Sequence, residues 1–198
     1  MSPRGRIGAG GLAALFAIGA IGGLIGDMCH VVSGTTVYLE DPLPYVWESQ
    51  LWFPLMVGGG TAALGLIAVT LGASAAGPER TDPLREAASM IAAVIGLYAL
   101  TALVRGEPAA VGIVLCWSVA ALICVRFARD RVDWLCALLA MVFGVGTEIV
   151  LSAAGVFEYA DDVEQILGAA AWLPALYLAY GVVAARLGAL AAGPLRKR

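Results

Sequence analysis

Residues 134–157 read WLCALLAMVFGVGTEIVLSAAGVF, an apolar run with a single charged residue, Glu148, well inside it. An acidic connection, EYADDVEQ at 158–165, leads to a second apolar run, ILGAAAWLPALYLAYGVVAA at 166–185, which stops at Arg186. Each run has about the twenty residues needed to cross a hydrocarbon core roughly 30 Å thick. The stretch therefore predicts a transmembrane helical hairpin with a buried acid on one arm and a proline on the other.

The composition indicates a membrane protein throughout. Of the 198 residues, 61% are hydrophobic and only 14% are charged, against about 25% charged in a typical soluble domain. The net charge of −3 argues against nucleic acid as a partner. We predict an all-α integral membrane protein, a single domain over 1–198 with six transmembrane helices. The expected spans are about 7–29, 51–73, 87–104, 109–125, 134–157 and 166–185.

The basic residues predict the orientation of these spans. With six spans both termini lie on one side, and that side would carry eleven of the twelve bases. These are Arg4, Arg6, Arg80, Arg85, Arg126, Arg129, Arg131, Arg186, Arg196, Lys197 and Arg198. Only Arg105 falls on the other side. Because cytoplasmic loops are enriched in bases, both termini are expected in the cytoplasm.

The cysteines and the glycines suggest packing roles. Cys29, Cys116, Cys124 and Cys136 form no CxxC pair and lie in or beside apolar runs, so we interpret them as small buried hydrophobes. Glycines four apart in the first span, at 19, 22, 23 and 26, offer a flat face for helix contact or self-association. The sequence shows no convincing internal repeat.

Glu148 is the most informative position in the sequence. A carboxylate at mid-depth costs several kcal/mol on insertion, by roughly 2.5–3.5 on translocon scales for the comparable Asp. It is either an anchor for a ligand headgroup, a proton site, or a packing residue that hydrogen-bonds a neighbouring span. Helical spacing places it in one stripe, expected to face inward, with Trp134, Leu138, Met141, Val145 and Ser152.

Asp27 and His30 are three residues apart at the end of the first span, where their side chains could meet. A zinc site is not expected, because the chain contains one histidine, and no cofactor is predicted. The pair is most simply a helix end at the membrane surface. An integral-membrane lipid enzyme that uses these two residues is an alternative.

Two aromatic–proline pairs predict irregular helices: Trp52-Phe53-Pro54 in span two and Trp172-Leu173-Pro174 in span six. Trp52-Phe53-Pro54 is followed by a glycine triplet at 58–60, so we expect a kink or an unwound turn in span two. Such a bend could open a gap for a lipid chain, or it could simply shape the packing. The predicted lipid-binding residues are Trp52, Phe53, Pro54, Leu97, Tyr98, Thr101, Val111, Trp117, Met141 and Glu148.

Several segments, in order, resemble the insulin-induced-gene (Insig) family of six-span membrane proteins. The strongest is GVFEYADDVEQILGAAAWLPALYLAYG, 155–181, which is similar to the family's Gly-Val-aromatic-x-Tyr turn and Trp-Leu-Pro span. Supporting matches are GD at 26–27, the Trp-x-Pro of span two, REAASM at 85–90 and FARDR at 127–131. Together they cover nearly the whole chain.

The resemblance implies a non-catalytic sensor that binds a lipid within the membrane. Eukaryotic members bind oxysterols and retain sterol-regulatory partners in the endoplasmic reticulum. This sequence departs from the family pattern at Ala128 and Val111, so we do not expect a partner of the eukaryotic kind. Its composition is typical of a GC-rich bacterial genome, which favours the bacterial inner membrane and a diacylglycerol-like over a sterol-like ligand.

Two function classes follow from the sequence. The first is a lipid-binding protein that holds a membrane lipid in a cavity between spans and leaves it chemically unchanged. The second is a small proton-coupled transporter that uses Glu148 as its protonation site. A homo-oligomer is compatible with both.

Overall fold

Six long helices account for most of the computed structural model, which describes residues 6–39, 44–73 and 82–192. All six are long and apolar enough to cross a membrane. The fold is therefore that of an all-α membrane protein. The helices are α1 (Ala9–Ser33), α2 (Trp52–Leu71), α3 (Pro83–Leu103), α4 (Ala109–Phe127), α5 (Arg131–Ala153) and α6 (Leu173–Ala192).

The largest difference from the predicted spans concerns α6. The helix starts at Leu173 instead of 166 and continues past Arg186 to Ala192. Arg186, expected as the end of the span, is fully buried and interacts electrostatically with Asp133 of α5. A buried charge is tolerated when an opposite charge compensates it, so a base inside an apolar run need not end a helix.

The two prolines begin helices and do not break them. Pro54 is the third residue of α2, and Pro174 is the second residue of α6. The first turn of a helix has no backbone hydrogen bond for proline to remove, so proline is accepted there. The predicted unwound turn is wrong, because α2 is uninterrupted through the glycines at 58–60.

Small residues let the helices approach closely around α6, the most buried of the six. A Cβ on Gly181 would lie 2.6 Å from the Ala137 Cα in α5. The first-span glycines are used in the same way inside the molecule. A Cβ on Gly23 would lie 2.8 Å from Val57 of α2, and one on Gly26 would overlap the Tyr98 ring of α3. Their close contacts are thus within one chain.

Short strands close one end of the bundle. Six strands are described: β1 (Thr36–Tyr38), β2 (Tyr45–Val46), β3 (Ser49–Gln50), β4 (Phe157–Tyr159), β5 (Gln165–Ile166) and β6 (Ala169–Ala170). β1 pairs with β4 in antiparallel register, and two hairpins, β2–β3 and β5–β6, flank this pair. The segments that follow α1 and α5 are therefore joined at the same end.

The α3–α4 turn lies at that end as well. Arg105 donates from Nε to Asp162, at 2.9 Å, and from Nη1 to the Ser33 carbonyl, at 2.6 Å. The ends of α1, α3 and α5 therefore lie together, as in an up-and-down six-helix bundle. The cytoplasmic location of the termini stays a prediction. Among the residues that support it, Arg4, Arg80, Arg196, Lys197 and Arg198 lie outside the described residues.

The structure contains an internal repeat, so the expectation of none is wrong. Both α1–α2 and α5–α6 are helix–strand–hairpin–helix units, and their first strands pair with each other. Corresponding features are found in both units. These are left-handed Gly34 and Gly155 after the first helix, left-handed Trp47 and Leu167 in the hairpin, and the prolines Pro54 and Pro174.

Candidate functional site

A central cavity of about 430 Å³ lies among α1, α2, α3, α5 and α6. Its wall is almost entirely apolar, with side chains such as Ile18, Met56, Ile95 and Leu176. Small residues contribute to it because they leave space: Gly22, Gly60 and Ala63 are among them. The polar side chains on the wall are Thr61, Tyr98, Thr147, Glu148, Tyr177 and Tyr180.

Glu148 is buried at the wall of the central cavity. Tyr159 donates a hydrogen bond to its Oε2 at 3.0 Å, and Tyr177 donates one to its Oε1 at 3.1 Å. Two phenol donors compensate part of the cost of placing a carboxylate in an apolar environment. The carboxylate keeps further lone pairs that can accept from another donor.

The inward face of α5 differs from the predicted stripe. Trp134 and Leu138 are 46% and 51% exposed, so they lie on the outside of the bundle. The buried face consists mainly of small residues, including Cys136, Ala137 and Ala140. The predicted stripe is correct for Glu148 and wrong for Trp134 and Leu138, because close helix packing selects small residues, which an apolar-stripe criterion ranks below large ones.

A second, smaller space, which we call the polar pocket, adjoins the central cavity at Glu148. It has room of about 20 Å³, and Phe53, Tyr98, Glu148 and Leu173 line both spaces. The remaining residues of the polar pocket are Asp27, His30, Thr36, Tyr38, Trp52, Phe157 and Tyr159. Asp27 of α1 and Glu148 of α5 therefore face one shared space.

Asp27 and His30 are both buried in the protein, and α1 continues beyond them to Ser33. They have separate partners. Tyr38 donates to Asp27 Oδ2 at 2.6 Å, whereas His30 Nε2 lies 2.7 Å from Thr101 Oγ1. Thr101 gives its only proton to the Tyr98 carbonyl, at 2.6 Å, so His30 Nε2 must be the donor in their shared bond.

The polar pocket contains two carboxylate acceptors, Asp27 and Glu148, and each already accepts from a tyrosine that lines the same space. Burial, reinforced by the Asp27 carboxylate, raises the pKa of Tyr38, and burial beside Glu148 raises the pKa of Tyr159 in the same way. Both phenols are therefore neutral and donate to the carboxylates. Within the described residues, no lysine or arginine lines either space, and no three potential metal ligands come together.

The structure brings together four of the ten residues predicted to bind lipid. Phe53, Tyr98 and Glu148 lie on the wall of the central cavity, and Trp52 lines the polar pocket. Thr101 is reached indirectly, through its bond with His30. The other five predicted residues line neither space: Pro54, Leu97, Val111, Trp117 and Met141. None of the lining residues of either space comes from α4.

Four tyrosines of the site were not predicted from the sequence: Tyr38, Tyr159, Tyr177 and Tyr180. One signal could have found the first two. Tyr38 follows Asp27, and Tyr159 follows Glu148, by the same eleven residues. The other two lie in α6, where they resemble ordinary apolar residues until the cavity is known.

Comparison with known proteins bears on this site. No family profile matches the chain. The chain is 43% identical over 178 residues to the INSIG protein homolog of Mycolicibacterium vanbaalenii, an alignment that covers 89% of this chain and 84% of the relative. The chain belongs to the Insig family. The resemblance inferred from the sequence is thereby confirmed.

Solved structures of a mycobacterial homologue have the same fold as this Insig-family protein. The crystal structure of MvINS from Mycobacterium vanbaalenii matches with a TM-score of 0.86 at 40% identity, covering 94% of this chain and 96% of that one. A cross-linked trimer of an MvINS cysteine variant matches with a TM-score of 0.86 at 39% identity, with the same coverage. The protein is thus an Insig-type multi-pass membrane protein.

Proposed function

We propose that this protein binds a single membrane lipid in the central cavity and acts by binding, without catalysis. The observation that carries the proposal is the cavity itself, about 430 Å³ with an almost entirely apolar wall. Ligand pockets typically have volumes of about 300–1,000 Å³, with apolar walls and a few placed polar groups. Here those groups include Glu148 and Tyr98, which also line the polar pocket, and Tyr177, which donates to Glu148.

The charges of the site favour a neutral lipid with a hydroxyl group. Glu148 and Asp27 are acceptors, and Tyr38, Tyr159 and Tyr177 already donate to them. A phosphate headgroup needs donors or cations, and no lysine or arginine of the described residues lines the two spaces. A diacylglycerol-like or sterol-like molecule, with one hydroxyl and a large apolar body, fits this chemistry.

A cavity-filling substitution tests the proposal. Gly22 lies on the cavity wall, and a Cβ there would meet only Ile95, at 4.0 Å. Gly22→Leu should therefore fill the cavity without disturbing the helix contacts. Gly96→Leu is the matched control, since Gly96 has nothing within 4 Å and is off the wall.

The measurement is the amount of lipid that copurifies in mild detergent, identified by mass spectrometry. Wild type and Gly96→Leu should carry about one neutral lipid per chain, and Gly22→Leu should carry several-fold less. Wild-type protein that copurifies without lipid and binds no added dioleoylglycerol would refute the proposal. Equal lipid in all three proteins would move the binding site elsewhere.

We also infer self-association in a bacterial inner membrane. A trimer of the homologue MvINS has been cross-linked, and large apolar residues such as Leu122 and Val125 are more than two-thirds exposed on α4. The alternative of a proton-coupled transporter gains no support from the described helices. Transporter sites commonly use discontinuous helices, whereas α2 and α6 are continuous around the central cavity.

A further inference from the structure

The two acids of the polar pocket are equivalent positions of the internal repeat. Asp27 lies in the first helix of one unit and accepts from Tyr38, eleven residues later. Glu148 lies in the first helix of the other unit and accepts from Tyr159, again eleven residues later. The antiparallel β1–β4 pair places the two tyrosine-bearing strands side by side. The repeat thus brings two acid–tyrosine pairs to one space.

Thr36 provides an independent observation at the same place. Its side chain lines the polar pocket, and the residue is only 8% exposed. Its Oγ1 has no hydrogen-bond partner among the described residues. A buried hydroxyl without a partner costs about 1–3 kcal/mol, so such groups in native proteins usually bond to something that fills the space beside them.

The size of the polar pocket limits what can fill it. Its room is about 20 Å³, and a space of about 10–15 Å³ is sufficient for one water molecule when two to four polar partners surround it. Asp27, Glu148 and Thr36 offer three such partners. An ionised acid can only accept, so an occupant that bonds to the ionised form of either acid donates to it.

We propose that the polar pocket is a subsite for one neutral hydrogen-bond donor of hydroxyl size, held between Asp27 and Glu148 and bonded to Thr36 Oγ1. The donor is either a water molecule or the hydroxyl of the molecule in the central cavity. The second case rests on the proposed function, whereas the first does not. A water molecule can donate to both acids, whereas a lipid hydroxyl has one proton and can donate to only one of them. In either case the Thr36 hydroxyl can donate to the oxygen of the occupant.

Thr36→Val tests this subsite because the sign of its effect depends on occupancy. If the space is empty, valine removes an unpartnered hydroxyl, and the thermal midpoint in detergent should stay the same or rise. If the space is filled, valine removes a bond, and the midpoint should fall. Thr36→Ser keeps the hydroxyl and should restore the wild-type behaviour.

The matched control is Thr147→Val. Thr147 lies on the wall of the central cavity, but its hydroxyl donates to the Phe143 carbonyl of its own helix, at 2.7 Å. The probes are dioleoylglycerol and the dioleoyl ester of propanediol, which lacks only the free hydroxyl. A hydrogen bond to a charged group predicts that the glycerol ester binds about tenfold or more tightly.

The outcomes separate the two sources. A preference for dioleoylglycerol that falls several-fold in Thr36→Val but not in Thr147→Val identifies the lipid hydroxyl as the occupant. An equal fall in midpoint with and without lipid, and equal binding of both probes, identifies water. An unchanged or raised midpoint with equal binding of both probes overturns the subsite. The subsite is also overturned if the midpoint falls when choline chloride replaces sodium chloride, because the occupant would then be a cation and not a neutral donor. If neither probe binds at all, the proposed function fails, and the midpoint without lipid still decides the subsite.

Discussion

Glu148 joins three elements through one side chain. Its two oxygens receive hydrogen bonds from Tyr159 in β4 and from Tyr177 in α6. Hydrogen bonds to charged groups contribute about 1.5–3 kcal/mol each, and a buried phenol left without its partner costs a similar amount. The residue therefore stabilises the closed end of the cavity in addition to any contact with a ligand.

Two substitutions of Glu148 should differ sharply. Glu148→Gln keeps a group that can bond both phenols, so we expect only a small loss of stability. Glu148→Leu leaves Tyr159 and Tyr177 without their acceptor and should cost about 2–6 kcal/mol. Glu158→Leu makes the same change at an exposed position of β4 and should stay within about 0.5 kcal/mol. Denaturation in detergent measures all three, and similar losses for Glu148→Leu and Glu158→Leu would contradict the argument.

Single residues show why the site was only partly predictable. Glu148 could be found because a lone acid in a long apolar run has few explanations. Tyr98 was found as a polar residue within a span. Tyr177 and Tyr180 could not be found, because an aromatic residue in a span is equally at home in lipid, at an interface or in a cavity. Only the packing of α6 against α5 distinguishes these locations.

Contacts between the helices depend on glycine and alanine. α6 presents Gly181 to the backbone of α5, where an added Cβ would lie 2.6 Å from the Cys136 carbonyl oxygen. Close approach of this kind increases van der Waals contact between helices that gain nothing from burying apolar surface in lipid. The cavity exists beside these contacts, because Gly22 and Gly60 lack the side chains that would fill it.

Adding one methyl group should separate tight contacts from open positions. Gly181→Ala forces the backbones of α5 and α6 apart and should destabilise the protein by about 1–3 kcal/mol. Gly146→Ala places the same methyl where nothing lies within 4 Å, and should be neutral or slightly stabilising because alanine favours a helix. Thermal unfolding of the two variants in one detergent measures the difference. Equal midpoints would contradict the close packing.

The existence of each helix was easier to predict than its limits. Long apolar runs predict spans because the bilayer requires them. The start of α6 was misplaced because residues 166–172, ILGAAAW, which include most of the β5–β6 hairpin, are as apolar as the helix that follows. The internal repeat was missed since only a few positions, such as Trp52 and Trp172, keep the same residue in both units.

At the scale of the whole molecule, the strands and the α3–α4 turn lie at one end, and the connection between α4 and α5 lies at the other. The distribution of bases predicts that the strand end faces away from the cytoplasm. Asp130 and Asp133 at the opposite end form a capping box that starts α5, so this connection has a defined structure. The two ends are therefore different surfaces, which labelling can distinguish.

A membrane-impermeant maleimide tests this orientation. Glu107→Cys is exposed in the α3–α4 turn and should be labelled on intact cells. Arg131→Cys is exposed at the start of α5 and should be labelled only after lysis. The parent protein, whose Cys116, Cys124 and Cys136 are buried, gives the background. Labelling of Arg131→Cys in intact cells would invert the topology.

The central position of α6 has a consequence for biosynthesis. Leu173–Ala192 is the last of the described helices to leave the ribosome, yet it contacts each of the other five and forms part of the cavity wall. The five earlier spans thus enter the bilayer before the helix that contacts all of them has been made. During this interval the incomplete chain is exposed to the proteases that degrade unfinished membrane proteins. The mature fold forms only when α6 packs between the other helices.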